Sequence, residues 1–415
     1  LVSRSERLTH AREHLNEMFG KKYPKNFRKE HIEYHKDEPE ELAVINYTSG
    51  TTSYSKGVML PYRSLWSNTK FAYEVLELKA GDKIVSMLPM AHMYGLAFEF
   101  LYEFSVGCHI YFLTRMPTPK IIAQSFAEIK PRVISCVPLI VEKIIKKNIL
   151  PKLDNKIGKL LLNVPIINDK IKASARQAAM EIFGGQFDEI IIGGAPFNPE
   201  VEAFFKKIGF PYTMAYGMTE CGPIICSSRW ETIKQASCGK AASRMEVRID
   251  SPDPQTVPGE IICKGVNLML GYYKNPEATA QIIDVNGWLH TGDMGYVSED
   301  DFLYVLGRFK SLLIASDGEK YSPEGMEEAI VDKSPFIDQI IIYNNQSPFT
   351  GAIVVPNRDA LRRELDARDI REGRAAAAAD ILGAEIDRYR AGGPYAGEFP
   401  ERWLPAGLAI VDEPF

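Results

Sequence analysis

The sequence has 415 residues, of which 45% are hydrophobic and 25% are charged. This composition is typical of a folded globular protein, and the length indicates roughly two to four structural units. The formal net charge of -5 is small for this size, so it gives no reason to expect general attraction to nucleic acid or to an anionic membrane. Any binding of phosphate must therefore depend on local groups.

Cysteine spacing and the hydrophobic runs indicate a cellular location. The six cysteines form neither a close-spaced CxxC pair nor a cluster with zinc-like spacing, which favours free thiols. No apolar run is long enough to span a bilayer, and residues 1–12 are too charged for a signal peptide. We therefore expect a cytoplasmic protein. Because the sequence starts at Leu1 and not at methionine, we also expect it to be part of a longer chain.

The first 238 residues show the rhythm of an α/β fold. Between residues 42 and 226, short β-rich apolar runs alternate with longer helical stretches. This alternation predicts βαβ units and a largely parallel sheet, and residues 1–238 are accordingly assigned to a large α/β domain. The predicted strands are residues 43–47, 83–88, 109–113, 132–137 and 189–192.

Two smaller parts follow the large domain. Residues 239–309 contain shorter strands and frequent turns, which favour a small antiparallel sheet or a β-barrel-like subdomain. Residues 310–415 have the pattern of a hinge and a compact α+β domain. Within this part, residues 359–390 are charged and rich in alanine, so we expect an exposed helical insertion there.

A polar loop after the first predicted strand has the composition of a phosphate-binding site. Residues 47–57 are YTSGTTSYSKG and combine glycine, hydroxyl side chains and one lysine, Lys56. Hydroxyl and backbone N–H groups can donate hydrogen bonds to phosphate oxygens, and Lys56 adds a positive charge. The order does not fit the GxxxxGK[ST] pattern of P-loop NTPases, because Ser55 and Gly57 stand where the second glycine and the magnesium-binding hydroxyl would be. We expect a different type of phosphate loop.

Further segments extend this observation to a family. The loop resembles the phosphate loop of the acyl-adenylate-forming (AMP-binding) superfamily, and other motifs similar to those of the superfamily follow in its order up to about residue 356. They are LPMAHMYG at 88–95, GGAP at 193–196, AYGMTE at 215–220, PGE at 258–260, GYY at 271–273, GWLHTGD at 287–293 and GRFK at 307–310. The sequence looks most like bacterial long-chain fatty acid CoA ligases. The resemblance implies an acyl-CoA synthetase-like α/β fold that is truncated at both ends here.

The resemblance also implies a site for ATP or AMP with magnesium. Tyr216 offers a flat ring on which adenine can stack. Asp293 can accept hydrogen bonds from the ribose hydroxyls, and Arg308 can donate to the ribose. Thr51 and Glu220 are the expected ligands of magnesium. The residues expected to contact the nucleotide or CoA are Thr48, Ser49, Gly50, Thr51, Thr52, Lys56, Gly193, Gly194, Ala195, Tyr216, Gly217, Thr219, Asp293, Arg308 and Gly318.

Four residues are expected to carry the catalysis, and two others to serve the movement of domains. The catalytic set is Thr51, Lys56, His92 and Glu220. The resemblance puts His92 at the junction of the acyl and nucleotide sites, although a histidine packed in a loop is the alternative. It implies a hinge at Lys310 and, at Gly318, a loop that lets the pantetheine chain of CoA pass. It also implies an adenylating lysine near the C-terminus; because the last lysine, Lys333, does not match that motif, we expect this residue outside the sequence.

The implied activity is that of an AMP-forming ligase for a fatty, and specifically long-chain, carboxylic acid. ATP and the acid give acyl-AMP and pyrophosphate, and CoA then takes the acyl group and releases AMP. Two alternatives stay open: a ligase for acyl or aryl acids that uses a carrier protein as acceptor, and a nucleotide-binding module without catalysis. Nucleic acid is not an expected partner, whereas a peripheral membrane association would help to collect a lipid substrate. An apolar acyl site is expected near Met87, Met90, Met93, Tyr94, Leu96, Phe98 and Phe100.

Overall fold

The computed structural model describes residues 6–23, 25–32, 36–48, 55–114, 118–148, 169–254, 257–308, 313–314 and 320–413. The chain divides into two units, Leu1–Glu41 and Leu42–Phe415. The first unit contains helices α1 (Glu6–Glu13) and α2 (Leu15–Lys22). Its aromatic rings form a small cluster, in which the centres of Phe19, Tyr23 and Phe27 lie 4.9 to 5.4 Å apart.

A five-stranded sheet forms the centre of the second unit, in the order β5-β6-β7-β8-β9. Its first three strands are parallel, β8 runs antiparallel to β7, and β9 runs antiparallel to β8. A separate parallel pair, β3 and β4, forms a second sheet. These strands are β3 (Lys83–Ser86), β4 (His109–Phe112), β5 (Val133–Cys136), β6 (Glu189–Gly193), β7 (Tyr212–Gly217), β8 (Ile224–Ser227) and β9 (Lys240–Ala241). Four of the five strands that the sequence predicted before residue 193 correspond to β3, β4, β5 and β6, and the fifth, at residues 43–47, is strand β1, which is described below.

Helices cover the two faces of these sheets. Phe126, Phe183, Phe205 and Tyr212 are fully buried between helices and sheet, and the rings of Phe205 and Phe210 stack with centres 4.1 Å apart. Such large buried rings supply much of the apolar area that stabilises the domain. The helices are α3 (Tyr62–Val75), α4 (Met93–Leu96), α5 (Tyr102–Val106), α6 (Pro119–Ile129), α7 (Pro138–Asn148), α8 (Asp169–Ile182) and α9 (Pro199–Ile208).

The strand before the phosphate loop does not belong to a parallel sheet, which corrects the expected βαβ pattern at this point. Strand β1 (Leu42–Thr48) pairs antiparallel with β2 (Lys56–Pro61), and β12 (Gly271–Tyr272) continues the sheet beyond β2. The apolar run in β2 is too short to be recognised as a strand by periodicity alone. The phosphate loop is therefore the connection of a β-hairpin.

The β subdomain is an open antiparallel sheet in the order β10-β11-β13-β14. Over the residues that the structure describes, β10 and β14 form its two edges, so the sheet does not close into a barrel. Its elements are β10 (Met245–Asp250), β11 (Gly259–Gly265), α10 (Pro276–Ile282), β13 (Leu289–Val297) and β14 (Leu303–Arg308).

The C-terminal part is a small α+β domain, as predicted. Its main sheet has the order β17-β18-β19, with β19 parallel to β18. Its elements are β15 (Leu313–Ile314), β16 (Lys320–Tyr321), α11 (Glu324–Lys333), β17 (Ile337–Tyr343), β18 (Gly351–Pro356), α12 (Arg358–Ala367), α13 (Arg374–Asp387) and β19 (Gly407–Ile410).

The prediction of an exposed helical insertion at residues 359–390 is wrong. The segment is helical, but α12 buries Leu361 and Leu365, and α13 buries Ile381 and Leu382, in the core of the C-terminal domain. The apolar residues at spacings of one and four positions form one face of each helix. The many charged and alanine residues around them obscured this face in the sequence. No helix in the described part of the chain has the length and apolar character needed to cross a bilayer.

Two buried carboxyl groups lie in the helical segment after β3. Oε2 of Glu99 accepts hydrogen bonds from the Ser86 hydroxyl and from the backbone N–H groups of Met87 and Leu88, at 2.8 to 3.2 Å. Glu99 belongs to a single π-helical turn, Ala97–Leu101, a type of distortion that is often found near functional sites. Burial raises the pKa of Glu99 to about 8 and that of Glu103 to about 8.

We expect these groups to make the protein less stable as the pH rises. In the unfolded chain a glutamic acid loses its proton near pH 4.5, whereas Glu103 keeps it in the folded protein up to about pH 8. The stabilisation is fully present below the unfolded pKa and is lost as the pH rises through the folded pKa. The midpoint of thermal unfolding should therefore fall by several degrees between pH 5 and pH 9, and Glu103→Gln should flatten this slope.

The matched control is Glu128→Gln, which removes an exposed carboxylate from α6. Its slope should match that of the wild type. If the midpoint of unfolding in calorimetric scans fell equally steeply with pH in Glu103→Gln and in the wild type, the attribution of this pH dependence to Glu103 would be contradicted.

Candidate active site

Tyr216, Asp293 and Arg308 come together from three strands. Tyr216 lies near the C-terminal end of β7, and Asp293 faces Arg308 across the antiparallel pair of β13 and β14. The Tyr216 hydroxyl donates a hydrogen bond of 2.6 Å to Oδ2 of Asp293, and Nε of Arg308 is 3.6 Å from Oδ1. Burial raises the pKa of Asp293, which the hydrogen bond and the Arg308 charge oppose. A flat ring, a carboxylate and a guanidinium group at one place suit a nucleoside.

Glu220 lies in the 3-10 turn that follows β7, with its side chain buried. The Tyr272 hydroxyl donates a hydrogen bond of 2.7 Å to Oε1 of Glu220, and Nζ of Lys56 is 4.9 Å from the centre of the Tyr272 ring. Because Tyr272 is on β12 and Lys56 begins β2, this chain of contacts connects the carboxylate to the β1–β2 hairpin. Sequence reasoning included Tyr272 in a motif but assigned it no role.

A glycine-rich turn follows β6 at the same edge of the sheet. Gly193 is paired with Ala215 of β7, and a Cβ on Gly193 would lie 3.1 Å from the Ala215 carbonyl oxygen. Gly194 has a φ of +91°, in the left-handed region that favours glycine. Ala195 is exposed on the turn, and a Cβ on Gly217 would lie 2.2 Å from a carbonyl oxygen. The carboxyl ends of parallel strands are where α/β proteins usually bind ligands.

The remaining predicted nucleotide contacts are only partly described. Thr48 and Lys56 are opposite each other at the end of the β1–β2 hairpin next to the connecting loop, and Thr219 precedes Glu220 in the 3-10 turn. The roles of all these residues stay predictions. Ser49, Gly50, Thr51, Thr52, Lys310 and Gly318 lie outside the described residues.

His92 precedes α4 and is exposed. Its backbone N–H donates to the carbonyl of Pro89 at 2.9 Å, and the side-chain amide of Asn46 donates to the carbonyl of Ala91 at 2.6 Å. Asn46 is on β1, so this hydrogen bond ties the His92 turn to the strand that leads into the phosphate loop. The exposure of His92 argues against the alternative of a histidine packed in the loop, and its role between the acyl and nucleotide sites stays a prediction.

Glu260 is a positioning residue that sequence reasoning did not identify. Its Oε1 accepts a hydrogen bond of 2.9 Å from the N–H of Gly292, and its Oε2 is 2.8 Å from Nδ1 of His290. The Thr291 hydroxyl accepts a bond of 3.1 Å from the N–H of Asp293. Together these bonds fix the turn that carries the Asp293 carboxylate. The sequence contained one indication of this role: Glu260 belongs to the motif PGE and Asp293 to the motif GWLHTGD, and these motifs occupy neighbouring strands.

An apolar cavity starts at the glycine turn. Its roof is formed by α3 and by Tyr94 and Phe98, so two of the seven apolar residues predicted for the acyl site line it. Met87 and Met93 pack in hydrophobic cores instead. The floor consists of alternate residues of two adjacent parallel strands: Glu189, Ile191 and Gly193 of β6, and Thr213, Ala215 and Gly217 of β7.

The sequence profile that describes AMP-binding enzymes matches residues 3–273, more than half of the chain. The chain belongs to the AMP-binding enzyme family. A second profile, that of the AMP-binding enzyme C-terminal domain, matches residues 310–377. The resemblance inferred from the motifs is thereby confirmed.

Curated members of the AMP-binding family share about a third or less of their residues with this chain. 4-Coumarate–CoA ligase 1 of Oryza sativa subsp. japonica is 30% identical over 336 residues, which cover 77% of this chain and 54% of that protein. Long-chain-fatty-acid–CoA ligase ACSBG2 of Gallus gallus is 27% identical over 360 residues, which cover 81% and 47%. The chain thus spans about half the length of these relatives.

Solved structures of similar fold include complexes of O-succinylbenzoate CoA synthetase of Bacillus subtilis. Its complex with the acyl-adenylate OSB-AMP has a TM-score of 0.66 at 21% identity and covers 91% of this chain and 67% of that one. Its complex with ATP and magnesium has a TM-score of 0.64 at 22% identity and covers 92% and 69%. At this level of identity the likeness concerns the fold, and it confirms the predicted α/β fold class with a large domain and a smaller C-terminal domain.

Proposed function

We propose that this chain is the activating part of an AMP-forming carboxylic acid–CoA ligase and that its acid is a long-chain fatty acid. One observation carries the proposal: the Tyr216–Asp293 pair and the Glu220–Tyr272 pair converge at the carboxyl ends of the parallel strands, beside an apolar cavity. The first pair suits a nucleoside, the second suits a polyphosphate with its cation, and the cavity suits an acyl chain. Membership in the AMP-binding family supports this combination.

The first half-reaction depends on positioning. The acid's carboxylate attacks the α-phosphorus of ATP, a new C–O–P linkage forms, and pyrophosphate leaves with the electron pair of the broken P–O bond. Tyr216 and Asp293 hold the nucleoside at one end, while Lys56 and the phosphate loop hold the phosphates at the other. Fixing both reactants in line can supply a large part of the rate enhancement.

Glu220 has the chemistry of a magnesium ligand. Its carboxylate is hard and buried, and one oxygen is held by the Tyr272 hydroxyl, so the other can be directed at a cation. Thr51, in the phosphate loop, is proposed to add a hydroxyl ligand. Bound magnesium would neutralise charge on the phosphates.

The second half-reaction transfers the acyl group to a thiol. The sulfur of CoA attacks the acyl carbonyl of the adenylate, a thioester forms, and AMP leaves. We propose that Lys310 is the hinge about which the C-terminal domain turns between the half-reactions, and that Gly318 lies in the passage for pantetheine. The enzyme would act in the cytoplasm and could associate peripherally with membranes to collect its substrate.

A second candidate function is a ligase for aryl acids. It is favoured by the similarity to 4-coumarate–CoA ligase 1, at 30% identity. The fatty-acid assignment instead depends on the motif resemblance and on the similarity to the ligase of Gallus gallus.

The test uses the complete gene product in two assays. Exchange of labelled pyrophosphate into ATP reports adenylation, and loss of free CoA thiol reports transfer. We expect both to depend on a long-chain fatty acid. Faster turnover of aryl acids would overturn the fatty-acid assignment. Transfer to a carrier protein without use of CoA would overturn the assignment of CoA as the acceptor. No pyrophosphate exchange with any acid would overturn the proposed function as a whole.

A further inference from the structure

The inner end of the acyl cavity is polar. Side chains of a strand alternate between its two faces, so Glu189, Ile191 and Gly193 share the face of β6 that lines the cavity. Gly193 is at the glycine turn, where the carboxylate of the acid would react. Glu189 is four residues away, which corresponds to about 13 Å along the strand. The cavity floor therefore runs from glycine at the reactive end to a glutamic acid at the remote end.

Glu189 is buried, with 6% of its surface exposed. The backbone N–H of Trp230 donates a hydrogen bond to its carboxyl group. Burial raises the pKa of Glu189 to about 8; the carboxylates of Glu231 and Asp188 add to the rise, and Arg229 opposes it. At neutral pH the group is then an uncharged carboxylic acid, which offers one O–H donor as well as acceptor lone pairs.

Two hydroxyl groups near this end already donate hydrogen bonds within the protein. The Thr213 hydroxyl donates to the carbonyl of Ser228 at 2.5 Å, and the Ser227 hydroxyl donates to the carbonyl of Met214 at 3.2 Å. Their donors are thus directed at the backbone. Glu189 is the acidic side chain on the floor, and its carboxyl group can both donate and accept hydrogen bonds.

A second cavity adjoins the first at this point. Val75 and Glu189 line both cavities, and the second is bordered by charged residues that include Arg132, Arg176 and Arg229. An alkyl chain that filled the first cavity would bring its methyl end against a carboxyl group and a hydrophilic space. A buried polar group that faces an apolar one loses hydrogen bonding and weakens binding.

We propose that the cavity takes a carboxylic acid with a hydroxyl group at the end remote from its carboxyl, and that Glu189 determines this specificity by hydrogen bonding to the hydroxyl. The inference rests on the proposed CoA ligase function. An ω-hydroxy acid would narrow the proposed fatty-acid class, whereas a hydroxyaryl acid would support the second candidate function, the ligase for aryl acids, and overturn the fatty-acid assignment. The hydroxyl can belong to an aliphatic ω-hydroxy acid or to a hydroxyaryl acid. Both place the same group at the far end of an otherwise apolar molecule.

The test compares two matched pairs of acids with the complete gene product: ω-hydroxydecanoate with decanoate, and para-hydroxyphenylpropanoate with phenylpropanoate. We expect kcat/KM for acid-dependent pyrophosphate exchange to favour the hydroxylated member of at least one pair by about tenfold or more. The pair with the larger ratio identifies the source of the hydroxyl. Glu189→Leu should bring that ratio to one or below, and Glu189→Gln should retain part of it.

The matched control is Glu202→Gln, because Glu202 is a buried carboxyl group that lines neither cavity and accepts a hydrogen bond from Tyr212. Its ratio should equal that of the wild type. Exchange with all four acids at equal kcat/KM, or an unchanged ratio in both Glu189 variants, overturns this inference alone. No exchange with any of them overturns the proposed function and this inference with it.

Discussion

Replacement of Glu220 by glutamine is expected to slow acid-dependent pyrophosphate exchange by about a hundredfold or more. Glutamine keeps the shape of the side chain and an oxygen that can accept the Tyr272 hydrogen bond, which is 2.7 Å long in the structure. It removes the negative charge that we propose to hold magnesium. The rate should be measured over a range of magnesium concentrations, because a weakened metal site raises the concentration needed for half-maximal exchange.

Glu202→Gln is the matched control for this experiment. Glu202 is also a buried glutamic acid that accepts a tyrosine hydrogen bond, from Tyr212 at 3.0 Å, but it lies on α9, away from the proposed site. Its exchange rate should stay near that of the wild type. Robust exchange by Glu220→Gln at the wild-type magnesium requirement would show that the metal role is assigned to the wrong residue.

Replacement of Asp293 by alanine is expected to weaken the binding of AMP by about 1–3 kcal/mol. The change removes the carboxylate oxygens that would accept hydrogen bonds from the ribose. It also removes the 2.6 Å hydrogen bond that the Tyr216 hydroxyl donates to Asp293. Tyr216→Phe keeps the ring for stacking and removes only that hydrogen bond, so its effect should be smaller. Calorimetric titration of AMP into both single variants and the double variant gives the coupling of the pair, and we expect the two effects not to add.

Asp300→Ala provides the control for Asp293. Asp300 is in the turn that joins β13 to β14, so it belongs to the same hairpin, but it is exposed and paired with Lys234. It should leave the affinity for AMP unchanged. Wild-type affinity in a folded Asp293→Ala protein would remove Asp293 from the nucleotide site.

The sequence predicted those parts of the molecule that depend on local pattern. The strands β3 to β6 follow from short apolar runs between helical segments, and the order of motifs picked out Tyr216, Asp293 and Arg308, which the fold brings into contact. Contacts between distant segments were not predictable in this way. Tyr272 reaches Glu220 because β12 pairs with β2 of the β1–β2 hairpin. This pairing could not be predicted, since the apolar run at residues 56–61 is too short to be recognised as a strand.

The cavity shows the same limit. The sequence directed attention to apolar residues after β3, because they are close to one motif along the chain. The structure forms the floor from alternate residues of β6 and β7, which become neighbours only through parallel pairing. The polar residue Glu189 could not be recognised as part of an apolar site before that pairing was known. Similarly, residues 359–390 were expected to be exposed because their buried leucines and isoleucines are few among many charges.

The two faces of strand β6 have different roles: one lines the cavity and the other packs in the hydrophobic core. Glu189, Ile191 and Gly193 meet whatever enters the cavity, whereas Ile190 and Ile192 are fully buried on the opposite face and hold the sheet to its helices. A library of variants at position 189 would therefore explore new substrates while the core around Ile190 and Ile192 stays intact, whereas a change at Ile191 would also disturb the core that it forms with Phe71 and Phe98. Loss of a single residue from this strand would turn each side chain to the other face, exchanging the substrate contacts for the core residues at once.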